Sequence, residues 1–196
     1  MCSKASYRRQ LRALRRQLTT AQRQTEEQHL LTRLLRLLAH RRPRRIASYY
    51  PMGAEINPTI QAGQWREDGE LYWPQIRHTG LRFAAANSKQ LEQSSVGAWQ
   101  PTNSARAAPL WSFSAVVMPL LACDRSGYRL GQGGGYYDRA LARSAWHRPL
   151  LVGVGYDCQL VAKLPHEPHD QTLDLFLSAS HALAFTPKGH RWLTGY

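Results

Sequence analysis

Apolar residues recur at helical spacing through the first forty positions of the chain. The pattern is carried by two sets of leucines: Leu11, Leu14 and Leu18, then Leu31, Leu34, Leu35 and Leu38. Each set lies on one face of a helix, because residues three or four apart meet on the same side. The pattern predicts a first helix over 3–18 and a second helix that begins at Thr19 or Thr20. Pro43 ends this helical region.

The rest of the chain alternates short apolar runs with turn residues. The runs predict strands over 45–50, 71–73, 81–85, 114–121, 150–154 and 173–177. The run at 114–121 is continuously apolar, which is typical of a strand covered on both faces. Asn57-Pro58 predicts a short helix toward Trp65, 96–111 is expected to be irregular, and a helix is expected over 136–143. This alternation favours an α/β fold with a mostly parallel sheet, in one domain over 1–196.

Charge is distributed unevenly along the 196 residues. The formal net charge is +13, but residues 1–45 hold 13 Lys and Arg against 2 Glu, so the remainder is nearly neutral. Three interpretations of the basic helices fit this distribution: a solvated face, a nucleic-acid contact, or cations that hold a small polyanionic ligand. Lys4 and Arg8 are four residues apart and share a helix face.

Composition excludes several classes of protein. With 43% hydrophobic and 20% charged residues the chain is expected to fold, and no apolar run approaches the ~20 residues of a membrane span. The N-terminus lacks the apolar core of a signal peptide. Cys2, Cys123 and Cys158 have no metal-ligand or disulfide spacing, so we expect reduced thiols and a cytoplasmic protein without membrane association.

The stretch most indicative of chemistry lies between the apolar strand and the helix at 136. Five of the nine residues over 127–135 are glycine. Glycine lets backbone N–H groups approach a ligand closely, and a strand, a glycine loop and a helix start together favour an anion site. The sequence is neither a P-loop nor a Rossmann fingerprint. A surface loop, an ATP site and a sugar-phosphate site all remain possible on this pattern, although Arg129 and Asp138 at its ends favour phosphate and Mg²⁺.

The motif Arg-Leu-Gly-x-Gly-Gly-Gly-Tyr-Tyr-Asp-Arg at 129–139 resembles the signature of the 5-formyltetrahydrofolate cyclo-ligase family. Three further segments resemble that family in the same order along the chain. They are Lys-x-x-x-Arg at 4–8, Tyr-Tyr-Pro-Met-Gly-Ala-Glu at 49–55, and Leu-Pro-His-Glu-Pro-His-Asp at 164–170 with Asp174. The resemblance implies a three-layer α/β/α sandwich with basic N-terminal helices.

The resemblance also implies a role for each matching residue. ATP would be bound by Lys4, Arg8, Arg129, Leu130, Gly131, Gln132, Gly133, Gly134, Gly135, Tyr136 and Tyr137. The folate substrate would meet Tyr50, Glu55, Gly131, Gly133, Gly134 and Gly135. Asp138 and Asp170 would hold Mg²⁺, and Arg129 and Asp138 would act in catalysis. Many relatives have a lysine in the glycine run where this chain has Gly134, so another cation must supply that charge.

The activity implied by the resemblance is the ATP- and Mg²⁺-dependent conversion of 5-formyltetrahydrofolate, with or without a polyglutamyl tail, to 5,10-methenyltetrahydrofolate, ADP and phosphate. The reaction would pass through a phosphorylated formyl group, an iminium phosphate. The alternative is a nucleic-acid-binding module that uses the Arg-rich N-terminal helices, although a specific nucleic-acid partner is not expected. His166 and His169 are three residues apart, but the prolines beside them favour loop histidines over a metal site.

Overall fold

The computed structural model describes residues 4–58, 60–61, 63–77, 80–86, 90–142, 148–167 and 170–194. Four α-helices lie in these ranges: α1 (Lys4–Gln17), α2 (Thr20–Arg41), α3 (Tyr136–Ala142) and α4 (Pro187–Leu193). Thr19 caps α2, because its hydroxyl accepts a hydrogen bond from the backbone of Gln22 while the Gln22 side chain accepts one from the backbone of Thr19. None of these helices is both long and apolar enough to cross a bilayer.

Thirteen strands are described. They are β1 (Arg45–Ala47), β2 (Glu70–Arg77), β3 (Gly80–Ala84), β4 (Leu91–Gln93), β5 (Trp99–Pro101), β6 (Ala107–Ala108), β7 (Ala115–Pro119), β8 (Ala122–Asp124), β9 (Arg129–Leu130), β10 (Leu150–Val154), β11 (Leu160–Val161), β12 (Leu175–Leu177) and β13 (Ala182–Ala184). Eight of them form the main sheet in the order β13-β12-β10-β7-β1-β2-β3-β6. The five strands from β12 to β2 are parallel, and the edges are antiparallel. The mostly parallel α/β sheet is therefore confirmed.

Two apolar cores cover the two faces of the main sheet. Alternate residues of β7 divide between them: Ala115 and Val117 face the core that includes the leucines of α2, and Val116 and Met118 face the core that includes Leu141 of α3. A strand buried on both faces is continuously apolar, which explains the sequence of this segment. Helix, sheet and helix form the three layers.

The glycine segment belongs to a smaller sheet beside the main one. Its order is β11-β8-β9, and α1 packs on it through Leu11, which shares a core with Leu121, Leu130 and Leu164. Because the chain leaves parallel strands β1, β7 and β10 at the same edge, the segments that follow these strands gather there. Such an edge is the usual place for a ligand site in an α/β sheet.

Several local predictions are wrong. The helix expected from Asn57 does not form, since residues 57, 58, 60 and 61 are not helical. The segment is held by tertiary contacts instead: the backbone N–H of Asn57 donates to Glu27 of α2 at 3.1 Å, and the buried indole of Trp65 donates to the carbonyl of Pro43. The segment 96–111 is not irregular throughout, since β5 and β6 lie within it. The strands predicted over 45–50 and 114–121 end earlier, at Ala47 and Pro119.

The apolar faces of the first two helices also differ from the pattern. On α1, Leu14 is 42% exposed and Arg15 is buried in its place. On α2 the buried leucines are Leu30, Leu34, Leu37 and Leu38, whereas Leu31 and Leu35 are only partly covered. The helix at 136 is described as far as Ala142, and its predicted end at 143 lies outside the described residues.

Candidate active site

The glycine loop over 131–135 connects β9 to α3 in an open, partly exposed turn. Gly133 and Gly135 have φ of +108° and +61°, conformations that residues with a side chain rarely adopt. A Cβ on Gly133 would also lie 3.5 Å from the guanidinium carbon of Arg8. The two glycines thus allow a tight turn and a close approach of a cation to the backbone.

Helix α1 places a row of cations along this loop. Arg8 donates from Nε to the carbonyl of Gly131 at 3.0 Å. One turn later, Arg12 donates to the side-chain oxygen of Gln132 at 3.0 and 3.1 Å and to its carbonyl at 3.2 Å. Lys4, Arg8 and Arg12 are spaced four apart, so they share one face of the helix. Arg12 carried no sequence-derived role, although this spacing could have identified it.

Gln132 joins the loop to the segment that follows β1. Its side-chain amide donates to Glu55 Oε1 at 3.0 Å, and Glu55 Oε2 accepts the backbone N–H of Met52 at 3.0 Å. Glu55 is only 6% exposed. The sequence-predicted residues Glu55 and Gln132 are therefore brought into contact from positions 77 residues apart.

Arg129 connects the predicted metal ligand Asp138 to the backbone beside Asp170. Its guanidinium donates to Asp138 Oδ1 at 2.6 Å and to the carbonyl of Gln171, the residue after Asp170, at 2.9 Å. The Arg129 side chain is nearly buried, whereas Asp138 is about one third exposed. The arrangement brings α3 and the segment at 170 to one cation.

Lys4 completes this cluster from the first turn of α1. Its ammonium donates to Asp170 Oδ2 at 2.7 Å and lies 3.5 Å from Glu167. The same Asp170 oxygen accepts the backbone N–H of Glu167 at 2.8 Å. Two ion pairs predicted from separate motifs, Lys4 with Asp170 and Arg129 with Asp138, are therefore linked through the backbone at 171.

The other predicted residues surround this cluster. Tyr50 is half-buried and its ring stacks on Trp73 with centroids 4.3 Å apart, and burial raises the pKa of its phenol. Tyr136 lies at the surface below the guanidinium of Arg139, whereas Leu130 is buried under α1. The ring of Tyr137 points inward, where burial and then the charge of Glu55 raise the pKa of its hydroxyl.

Two residues that resembled functional positions are structural. Asp174 accepts hydrogen bonds from the backbone of Leu151 at 2.8 Å and from Thr186 at 2.6 Å, which fixes the end of the sheet. His166 stacks on Tyr128 with centroids 3.8 Å apart, and His169 lies outside the described residues. Within the described part of the chain, no group of three His, Cys, Asp or Glu residues has metal-binding geometry.

Two solved structures superpose closely on this chain. A 5,10-methenyltetrahydrofolate synthetase from Aquifex aeolicus superposes with a TM-score of 0.80 at 24% identity, over 93% of this chain and 92% of that one. The synthetase from Mycoplasma pneumoniae superposes with a TM-score of 0.74 at 22% identity, over 91% of this chain and 100% of that one. These matches establish the three-layer α/β fold.

Sequence comparison identifies the family. The model of the 5-formyltetrahydrofolate cyclo-ligase family matches residues 1–178. The 5-formyltetrahydrofolate cyclo-ligase of Haemophilus influenzae is 31% identical over 170 residues, 84% of this chain and 91% of that protein. The one from Escherichia coli K12 is 31% identical over 185 residues, 87% of this chain and 97% of that protein. The chain therefore belongs to the 5-formyltetrahydrofolate cyclo-ligase family, and it is a ligase.

Proposed function

We propose that the protein converts 5-formyltetrahydrofolate and MgATP to 5,10-methenyltetrahydrofolate, ADP and phosphate. Family membership supports the reaction class. The observation that carries the proposal is the guanidinium of Arg129, which joins Asp138 to the segment of Asp170 at the foot of the glycine loop. This contact supports a binding site in which Arg129 meets phosphate and Asp138 and Asp170 meet the metal.

ATP binds between α1 and the glycine loop in this proposal. Lys4, Arg8 and Arg129 supply positive charge, and the backbone of 130–137 lies along the phosphates. Many members of the family carry a lysine at the position of Gly134, and this chain has none there. Arg8 reaches the loop from α1 and donates to the carbonyl of Gly131, so it brings positive charge to the glycine run. Arginine forms bidentate hydrogen bonds with phosphate oxygens.

The donor set fits a magnesium ion. Mg²⁺ prefers oxygen ligands and is commonly held by one or two carboxylates together with substrate phosphates. Asp138 and Asp170 offer such carboxylates at the phosphate end of the site, and both are balanced by cations in this structure. When bound, the ion would neutralise charge on the β- and γ-phosphates.

The folate would bind between the glycine loop and the segment that follows β1. Glu55 is the buried carboxylate that would accept hydrogen bonds from the amino edge of the pteridine, and Tyr50 would line the same pocket. The amide of Gln132 now donates to Glu55 as such an amino group would. Substrate binding therefore requires this contact to exchange, with the loop glycines 131 and 133–135 facing the folate.

The chemistry needs activation of a formamide, whose oxygen is a poor leaving group. The formyl oxygen attacks the γ-phosphorus of ATP, and the bond between that phosphorus and the bridging oxygen breaks to release ADP. This gives the N5-iminium phosphate. The N10 amine then attacks the formyl carbon, phosphate leaves with its oxygen, and the N10 proton is lost as the ring closes. Arg129 and Lys4 position the phosphoryl group and stabilise its charge.

Binding of nucleic acid by the basic helices is less well supported. The cations of one face of α1, which are Lys4, Arg8 and Arg12, make hydrogen bonds to the loop and to Asp170. These three cations are therefore already engaged by acceptors within the protein. A nucleic-acid module would show an affinity for RNA or DNA that falls steeply with salt and disappears when 1–41 is removed.

An ultraviolet scan tests the proposal directly. Purified protein is mixed with 5-formyltetrahydrofolate and MgATP, and the methenyl product is followed by its absorbance while ADP is measured separately. We expect one ADP per methenyl group and no product when ATP or magnesium is omitted. Product formation without ATP, or ATP consumption without ring closure, would contradict the proposal. The ATP-free arm also separates this activity from isomerisation of a sugar phosphate.

A further inference from the structure

Helix α1 buries an arginine where its sequence offers a leucine. Leu14 is 42% exposed, whereas the adjacent Arg15 is only 6% exposed and lies one turn after the buried Leu11. A modest rotation of the helix would bury Leu14 and release the guanidinium to water. Burial of a charged side chain costs free energy unless its N–H groups find acceptors, so hydrophobic packing does not explain this orientation.

The guanidinium of Arg15 has donors without acceptors. Its Nε and Nη1 are buried and have no hydrogen-bond partner among the described residues. The hydroxyl of Tyr137, which reaches the same region from α3, is likewise buried without a partner there. Orphaned buried donors are rare in folded proteins, and they commonly mark places where a ligand supplies the acceptor.

Both orphaned groups lie within the electrostatic reach of Glu55. Burial lowers the pKa of Arg15, and the charge of Glu55 is the largest influence that raises this pKa again; after burial, Glu55 also contributes most to the raised pKa of Tyr137. The carboxylate itself already accepts from Gln132 and from the backbone of Met52. Arg15 and Tyr137 therefore present hydrogen-bond donors beside Glu55, without bonding to it.

We infer that Arg15, together with the hydroxyl of Tyr137, binds a carbonyl oxygen of the reduced pteridine whose amino edge is held by Glu55. A pteridine has hydrogen-bond donors on its amino edge and acceptors at its carbonyl groups. The carboxylate of Glu55 matches the amino edge, and the donors of Arg15 and Tyr137 match a carbonyl oxygen. The substrate has two such oxygens, on the ring and on the N5-formyl group. This inference rests on the proposed function and adds Arg15 to the substrate-binding residues.

Ligand titration with two folates tests the inference and separates the two oxygens. Arg15→Met keeps the length of the side chain and removes its donors, and Arg16→Met, at the exposed neighbouring position, is the matched control. We titrate 5-formyltetrahydrofolate and 5-methyltetrahydrofolate in the absence of ATP. The second ligand keeps the ring carbonyl and lacks the formyl oxygen.

Arg15→Met should weaken binding of 5-formyltetrahydrofolate by about tenfold to a hundredfold, the usual effect of losing a charged hydrogen bond. Loss for both folates identifies the ring carbonyl, and loss for the formyl compound alone identifies the formyl oxygen. Tyr137→Phe should weaken the same ligand by a smaller factor. In Arg15→Met, binding of a nonhydrolysable MgATP analogue should be unchanged. The melting temperature of Arg15→Met should be unchanged or higher, because a buried unpaired charge is removed.

Wild-type affinity for both folates in Arg15→Met would overturn the inference. It would also be overturned if Arg15→Met lowered the melting temperature and weakened the MgATP analogue as much as the folate, since that pattern indicates a structural role. If the wild-type protein bound no reduced folate, the proposed function itself would fail. The wild-type titration thus separates the two failures.

Discussion

The ammonium of Lys4 lies 2.7 Å from a carboxylate oxygen of Asp170, 166 residues further along the chain. Arg129 forms a comparable pair with Asp138 at 2.6 Å. Each carboxylate proposed to hold magnesium is thus paired with a cation proposed to hold ATP. In the proposed function the metal would take the carboxylates and the phosphates would take the cations, so each ion pair would exchange its partner when MgATP binds.

This pairing predicts how free metal should bind. Lys4→Gln removes the cation beside Asp170, and we expect it to raise the affinity for Mn²⁺ in the absence of nucleotide by about fivefold, the effect of a partly exposed ion pair of about 1 kcal/mol. The same change should raise the KM for ATP. Electron paramagnetic resonance of Mn²⁺ measures the first effect without turnover. An unchanged or lower Mn²⁺ affinity would show that Lys4 does not compete with the metal.

Asp138 should matter for turnover far more than for stability. Asp138→Asn keeps the size of the side chain but removes a charge that is about one third exposed. We expect kcat for methenyl formation to fall by roughly a hundredfold or more, because phosphoryl transfer depends on charge stabilisation. The melting temperature should change by only about 2 °C, which thermal unfolding measures.

Asp68→Asn is the matched control for that prediction. Asp68 also pairs with an arginine, Arg66, but it is well exposed and lies in the turn before β2. Its replacement should leave kcat unchanged. Near-wild-type turnover of Asp138→Asn would remove Asp138 from the mechanism.

The side-chain amide of Gln132 is hydrogen-bonded to Glu55 in the free protein, so removal of this amide should strengthen substrate binding. Gln132→Ala deletes the amide that donates to Glu55, while the loop keeps the bond from Arg12 to the carbonyl at 132. We expect the Kd for 5-formyltetrahydrofolate to fall about threefold, because the ligand no longer displaces an internal contact. Titration calorimetry measures this, with Gln10→Ala on the exposed side of α1 as the control. Weaker binding would mean that Gln132 itself contacts the folate.

The sequence predicted the parts of the fold that depend on strong local patterns. The strand at 150–154 was predicted at its observed bounds. Its five residues form a short apolar run, and all five are buried in the structure. The helix predicted at Asn57 is wrong, because tertiary contacts that no local pattern shows, such as the burial of Trp65, hold this segment in another conformation. Short edge strands such as β6 carry almost no periodicity and could not be predicted.

In the candidate site, too, local patterns predicted some residues, whereas those that depend on tertiary contacts were missed. Lys4 and Arg8 were placed on one helix face by their spacing, and both do reach the cluster. Arg15 was missed, because the leucine pattern favoured Leu14 for the buried face and ordinary packing would follow that pattern. The contact between Gln132 and Glu55 joins segments 77 residues apart and depends on strand order, which no local pattern encodes.

Away from the site, Glu70 should make stability depend on pH. Arg45 donates to its carboxylate at 3.0 Å, Tyr72 at 2.8 Å and Arg106 at 3.0 Å. Arg45 contributes most to lowering the pKa of Glu70 from 4.5 to about 2. Because the folded protein releases this proton more readily than the unfolded chain, the stabilisation is complete above about pH 4.5 and is lost as the pH falls toward 2.

Glu70→Gln removes this dependence, since the amide cannot ionise. We expect the variant to be less stable than the wild type by about 1 kcal/mol at pH 7, a modest figure because solvent screens the partly exposed pairs. The difference should shrink steadily between pH 4.5 and pH 3, because the unfolded wild-type chain takes up a proton at Glu70 in this range while the folded protein does not. Urea unfolding across this range measures it, and Asp68→Asn should show a smaller change. A difference that stays constant with pH would show that the ionised form of Glu70 does not stabilise the fold.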